Sequence, residues 1–284
     1  MPTSTVVPAG ALAPGRLHQA FADAFADYLI GAFNLPLAQW PAFLARHGVD
    51  LAASRVQLAG EAVQAFALVA PRPAIGAWRL AVMGAPPAER GSGAAAALLD
   101  DFIQRAAGAG MRHAELECFA QNERAIRLYR GRGFEAIHPL HGYARPAGLA
   151  LSRPSAAPAP AVAVPLEAAW AWLDELSVQR GDLPLQVTGA SLRAQATAPQ
   201  AWRLATAQLV FLPADAATIQ VQSLVDTDPA QQSAEALVAQ LVAAYADRRI
   251  AVPQLQRPDL GGEALLRLGF ERLPLHQWLM RRPL

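Results

Sequence analysis

The chain of 284 residues contains no lysine; all 24 of its basic side chains are arginine. With alanine and proline abundant, this reads as a coding bias rather than a mechanism. The 23 acidic residues leave a net charge of +1, which gives no sign of a nucleic-acid partner or an acidic surface. A single cysteine, Cys118, excludes an internal disulfide and fits a reducing compartment. No apolar run is long enough to span a membrane. The opening stretch MPTSTVVPAGALAPGR lacks the early positive charge and compact apolar segment of a signal peptide. The expectation is a soluble, cytoplasmic protein with no membrane partner. What is present suits sizeable cores: 53% of residues are hydrophobic and 17% charged, and the length is comfortable for two domains.

The periodicity supports α/β architecture. Residues 16–47 read as helical, with Phe21, Phe25, Tyr28 and Leu29 on one face and Pro36 and Pro41 breaking the run. Strand-like segments follow at 54–59, 63–70 and 75–83, then a helix over 93–107 whose stripe is Leu98, Leu99, Phe102, Ile103 and Ala106. HAELECF, residues 113–119, is a strand that leads into a further helix. The proline-, alanine- and serine-rich stretch 148–165 reads as a semi-rigid linker between a first domain, 1–147, and a second, 166–284. In the second, a helix is expected at 166–178, strands at 184–196, 202–212 and 217–225, and a helix at 232–247. LRLGFERL near the end echoes YRGRGFEAI of the first half, so the two domains share one plan.

Two stretches carry chemistry. In QNERAIRLYRGRGF, residues 121–134, Asn122 suits an N-cap and Gly133 the left-handed position that ends a helix. Asn122 and Tyr129 are seven residues apart, nearly two turns, so they project from almost the same face. Upstream, Arg90, Gly91, Ser92 and Gly93 open onto a helix, where free amides and the helix dipole favour an anion.

Together, the loop with Arg90, Gly93 and Ala95 and the later run Asn122, Ala125, Leu128, Tyr129, Gly133 and Phe134 resemble the GNAT family of acetyl-CoA-dependent N-acetyltransferases. The resemblance covers roughly residues 16–145 and is sharpest over 83–135. It implies a mixed α+β sheet and two tandem acyl-CoA N-acyltransferase-like domains. It also implies that the amides of Arg90, Gly91, Ser92, Gly93, Ala94 and Ala95 hold the coenzyme A pyrophosphate. Met83, Gly84 and Ala85 would hydrogen-bond the pantetheine arm through their backbone, Asn122 would contact the pantetheine, and Tyr129 would donate toward the departing thiolate. Acetyl-CoA is then the co-substrate, and no metal is expected.

The attacking amine must lose a proton. Glu115 and Glu117 share one face of their strand, and Glu117, nearer Asn122, is the preferred base. Asp27 and Tyr28 could instead line the acceptor pocket, and His138 and His141 are further candidates. Cys118 reads as a buried small side chain, so direct attack in a ternary complex is expected rather than an acyl-enzyme. In the second half the asparagine position falls on Pro258, the tyrosine position on Leu265, and Glu235 stands near the glycine of the loop. That domain reads as a degenerate copy, which could shape the acceptor pocket, cap the first domain's sheet or mediate a homodimer. The reading is acetyl transfer to a small-molecule amine. The alternatives are a protein or peptide N-acetyltransferase and a non-catalytic acetyl-CoA-binding regulatory module.

Overall fold

The protein is described by a computed structural model over residues 4–149 and 160–284. Most of the linker expected over 148–165 lies outside the described residues. The elements in chain order are β1 (Ser4–Pro8), α1 (Pro14–Ala24), α2 (Trp40–Arg46), β2 (Asp50–Ala59), β3 (Ala62–Arg72), β4 (Ala77–Gly84), α3 (Ala94–Gly108), β5 (His113–Phe119), α4 (Glu123–Arg130) and β6 (Glu135–Arg145). They continue as β7 (Val162–Ala163), α5 (Leu166–Arg180), α6 (Gly189–Arg193), β8 (Gln200–Leu204), β9 (Ala207–Pro213), β10 (Thr218–Asp226), α7 (Gln232–Ala244), β11 (Arg249–Gln256), α8 (Gly262–Arg267) and β12 (Glu271–Pro283). Two compact units result. The first holds the chain up to Cys118, Asn122–Ala136 and Met280–Leu284, and the second holds Phe119–Gln121 and Ile137–Leu279.

In the first unit the strands run β1-β2-β3-β4-β5; the first three pairings are antiparallel and β4 with β5 is parallel. The helix expected over 16–47 needs correction: residues 25–36, with Phe25, Tyr28 and Leu29, are not helical, so the run ends before either proline. α1 stops at Ala24, Pro36 precedes a 3-10 turn at Leu37–Gln39, and Pro41 sits in the first turn of α2. Phe21 packs against Phe25, Phe33, Trp40, Phe43 and Phe66, so α1 and α2 cover one face of the sheet. The other face takes α3, whose stripe Leu98, Leu99, Phe102, Ile103 and Ala106 is buried as the periodicity predicts. Trp78 stacks on Phe102 at 6.4 Å, so its neighbour Arg79 points to the α1/α2 face.

The second unit runs β6-β11-β10-β9-β8-β7, with β10 and β11 parallel. Two strand expectations need correction. Residues 184–196 form a 3-10 turn, Leu185–Val187, and the short helix α6. The alternation of Leu183, Leu185 and Val187 resembles a strand, but side chains meet the backbone locally. Thr188 Oγ1 donates to the Leu185 carbonyl at 2.6 Å, and Asp174 Oδ1 accepts the Ala190 amide at 3.0 Å. The stretch 202–212 is a hairpin of β8 and β9, reversing at Ala205 and Thr206, with Ala205 at φ 44°. A non-glycine residue in that region is a turn that composition does not announce.

The two units repeat one plan, down to details. Each has a β-bulge in the strand that leads to its long helix, between Val82 and Leu80 of β4 and between Val221 and Ser223 of β10. Gly133 and Gly269 both have φ 78°. Phe134 N donates to Tyr129 O, and Phe270 N to Leu265 O, each at 3.1 Å. These are the same helix-terminating motif twice, the physical content of the sequence echo.

Candidate active site

The site is built on a break in the first unit's sheet. β4 and β5 pair only from Ala77–His113 to Leu80–Leu116, although β4 runs on to Gly84. The bulge at Ala81 twists β4 at the point where pairing stops. Met83, Gly84 and Ala85 lie on this half-buried extension. Gly84 is there because of a close approach: a Cβ on it would stand 2.8 Å from Phe66 Cζ and 2.9 Å from Ala24 Cβ.

Beyond this strand lies the loop. Gly93 is the N-cap of α3 in the left-handed region, φ 89°, and a Cβ there would meet nothing within 4 Å. Glycine is required there by the backbone turn rather than by crowding. Ala97 N closes the first helical bond, to Gly93 O at 2.9 Å, so the amides of Ala94, Ala95 and Ala96 precede the helical ladder. Ser92 Oγ accepts the Ala94 amide at 3.3 Å, and Gly91, Ser92 and Gly93 are exposed. An open glycine cradle at a fifteen-residue helix fits a pyrophosphate. The Arg90 side chain is committed elsewhere. Its guanidinium holds both oxygens of Asp27, at 2.6 and 2.5 Å, and donates to Ala24 O and Ala85 O. Arg90 therefore ties the loop to the end of α1, and its hydrogen bond holds the Asp27 carboxyl below its ordinary range.

α4 begins as its sequence predicts: Asn122 Oδ1 accepts the Ala125 amide at 3.2 Å. Tyr129 is buried, 7% exposed, with its ring 6.1 Å from Phe134. Burial pushes the Tyr129 phenol well above its ordinary value, and Cys118 and Tyr28 add to the shift. Tyr28 is itself pushed up to about 12, by burial and then by Cys118. Burial also raises Cys118 to about 12, which keeps it a thiol rather than a nucleophilic thiolate. Arg124, Arg127 and Arg130 are exposed on the helix surface, and Arg127 pairs with Glu123 at 3.2 Å.

The two strand carboxylates do share a face, and arginines meet both. Glu115 is fully buried between Arg72 and Arg281. Glu117 Oε2 accepts a bond from Arg79 Nη2 at 2.7 Å, and both side chains are 2% exposed. Glu117 Oε1 and Arg79 Nε and Nη1 are buried and have no hydrogen-bond partner among the described residues. Leaving such a group unpaired costs about 1–3 kcal/mol. His47, at the end of α2, lies within the field of Arg79 and is lowered to about 4, chiefly by burial. Sequence reasoning missed the Arg79–Glu117 pair. Its signal was an arginine in a strand otherwise apolar, WRLAVMG, facing a strand with two glutamates. His138, bonded to Asp182 at 2.9 Å, and His141, stacked on His276 at 5.0 Å, belong to the second unit.

In the second unit the corresponding places are filled by the chain itself. Pairing of β10 with β11 stops after Gln220–Ala251, as in the first unit. Here the buried Gln256 side chain donates from Nε2 to Leu224 O at 3.1 Å, and a partly open pocket beside it, lined in part by Val221, Ser223 and Val252, is about 10 Å³. That is room for about one water. At the start of α7, Asp226 Oδ2 accepts the Ala234 amide at 2.8 Å, and Asp226 is fully buried. Glu235 is paired with Arg267 at 2.6 Å. A carboxylate already occupies the helix N-terminus where an anion would bind.

Comparison with known proteins agrees with this geometry. Residues 20–134 match the model of the acetyltransferase (GNAT) family. No curated protein matches the chain in sequence. A GCN5-related N-acetyltransferase from Sphaerobacter thermophilus superposes with a TM-score of 0.62 at 14% identity, covering 99% of this chain and 95% of that one. One from Anabaena variabilis gives 0.64 at 14% identity over 98% and 72%, and one from Kribbella flavida 0.63 at 16% over 99% and 71%. With its glycine loop, broken β4–β5 pairing and capped α4 helix, the segment 20–134 matches the acetyltransferase (GNAT) family model, and the chain has the fold of GCN5-related N-acetyltransferases.

Proposed function

We propose that the first unit transfers the acetyl group of acetyl-CoA to the amine of a small molecule by direct attack in a ternary complex. One observation carries this reading: β4 leaves β5 beside an open glycine cradle in the first unit, whereas in the second the same two places are closed by Gln256 and Asp226. The thioester supplies an activated acyl group. Of the loop amides from Arg90 to Ala95, those of Gly91, Gly93 and Ala95 hold the pyrophosphate, because the Arg90, Ser92 and Ala94 amides are bonded to Pro87 O, Glu89 O and Ser92 Oγ. The backbone of Met83, Gly84 and Ala85 with Asn122 orients the pantetheine arm. Tyr129 acts as a hydrogen-bond donor to sulfur. An ordinary phenol lies about 1.5 units above a thiol, and the burial of Tyr129 widens that gap. Full proton transfer is therefore unfavourable, and the stabilisation is electrostatic. Glu117 takes the proton of the amine.

The burial of Tyr129 and Glu117 favours a slender primary amine over a folded protein surface. The test is acetyl-CoA consumption, followed by thiol release, against aliphatic amines, amino alcohols, amino acids and peptides. Turnover with a small amine is expected. Turnover with peptides alone would move the assignment to a peptide acetyltransferase. Acetyl-CoA binding with no turnover across the panel would favour a regulatory module.

A further inference from the structure

A proline-rich stretch ordinarily marks the joint between two domains. Here the chain passes from one unit to the other elsewhere. Residues 137–145, in the last strand of the first half, belong to the second unit, and Met280–Leu284, the last residues of the second half, belong to the first. Each segment is built into its host. β6 pairs antiparallel with β11, from Arg145–Ile250 to Tyr143–Val252. Tyr143 is fully buried in one cluster with Leu209, Leu237, Leu265 and Phe270. A Cβ on Gly262, the first residue of α8, would stand 2.5 Å from the Tyr143 Oη.

Met280 is likewise fully buried. Arg281 Nη2 donates to Glu115 Oε2 at 3.2 Å, which gives that buried carboxylate a second guanidinium beside Arg72. Leu284 N donates to Arg112 O at 3.0 Å, just before β5. Arg282 lies over Gly133, where a Cβ would be 3.8 Å from Arg282 Nε. These residues therefore hold β5 and the chain after α4, the elements that present Glu117, Asn122 and Tyr129. The stretch 148–165 meanwhile begins and ends on the second unit. Gly148 N donates to Ala246 O at 2.8 Å, Ala161 N to Gln240 Oε1 at 2.7 Å and Val164 N to Ala201 O at 2.9 Å.

We propose that the two halves exchange their last strands, and that the second half, whose own coenzyme places are closed, is needed to complete the first unit. The stretch 148–165 is then a loop of the second unit, and the coenzyme-binding unit requires residues encoded at the far end of the chain. The purpose given to the second half rests on the proposed coenzyme site; the exchange of strands does not.

A crossed pair of substitutions in the whole chain tests this, read by hydrogen exchange in peptides from α3 and β5 and from α7 and β9. Arg281→Met, in the second half, should speed exchange about tenfold or more in α3 and β5, and leave α7 and β9 within about twofold of wild type. Tyr143→Leu, in the first half, should do the reverse. Where either variant does not fold, Met280→Ala or Leu140→Ala takes its place. Exchange that speeds in the half carrying the substitution, in both units alike or in neither would overturn the strand exchange. Acetyl-CoA affinity should fall in Arg281→Met and hold within about twofold in Tyr143→Leu; equal affinity in both would overturn the purpose given to the second half. Wild type that binds no acetyl-CoA would overturn the coenzyme site and that purpose together, and the crossed exchange pattern would still decide the strands.

Discussion

Replacing Tyr129 with phenylalanine removes one oxygen and leaves the packing in place. The ring sits in the core of the first unit against Phe134, so stability should change little. On the proposed reading, what is lost is the donor to the departing sulfur. Loss of one such preorganised donor costs about 10²- to 10³-fold in kcat, roughly 2.7–4 kcal/mol. The effect should fall on kcat, with acetyl-CoA affinity by calorimetry within a few-fold of wild type. The pH profile offers a second check. A phenol is the donating form below its pKa, and burial has raised that pKa above its ordinary value of about 10. Ionisation of Tyr129 should therefore cause no fall in kcat below about pH 10. The reasoning is refuted if Tyr129→Phe keeps more than about a third of wild-type kcat. It is also refuted if wild type shows an alkaline limb near pH 8–9 that the variant lacks, because the phenol would then ionise readily.

Further outcomes follow from the same geometry. Gly84→Val should fold less stably by about 1–3 kcal/mol and weaken coenzyme binding, because its side chain meets Phe66 and Ala24; denaturant midpoints and calorimetry check both. His47, lowered to about 4, is neutral in the folded state, so protonation favours unfolding. Its contribution is complete above about pH 6.5 and is lost as pH falls toward about 4, to the extent of about 3 kcal/mol. Urea melts across that window should show the slope, and His47→Gln should flatten it; an unchanged slope would contradict the assignment.

The first unit was legible because local rules and tertiary structure agree there. The Asn122 cap, the Gly133 terminus and the α3 stripe each follow from a single periodicity or a single residue preference, and all three are in place. The glycine loop was legible for the same reason: Gly93 stands where only the backbone turn decides. What escaped the sequence were partnerships across long separations. Arg79 meets Glu117 and Arg90 meets Asp27 through sheet pairing and helix placement, which one strand's pattern does not encode. Residues 184–196 looked like a strand because apolar alternation also suits a turn followed by a short helix. In the second half, the expectation of a degenerate site rested on Pro258, Leu265 and Glu235. The closure itself is made by Asp226 and Gln256, polar residues at strand ends that resemble any others in sequence.

The central claim is that one of two similar units keeps an open coenzyme site and the other has closed its own. Calorimetric titration of the whole chain with acetyl-CoA measures this directly through its stoichiometry. One site per chain is predicted, and it should weaken in Gly84→Val and be unaffected by Glu235→Gln. Two sites per chain would show that Asp226 and Gln256 give way to the ligand, contradicting the closure of the second unit. No binding at all would contradict the assignment of the first.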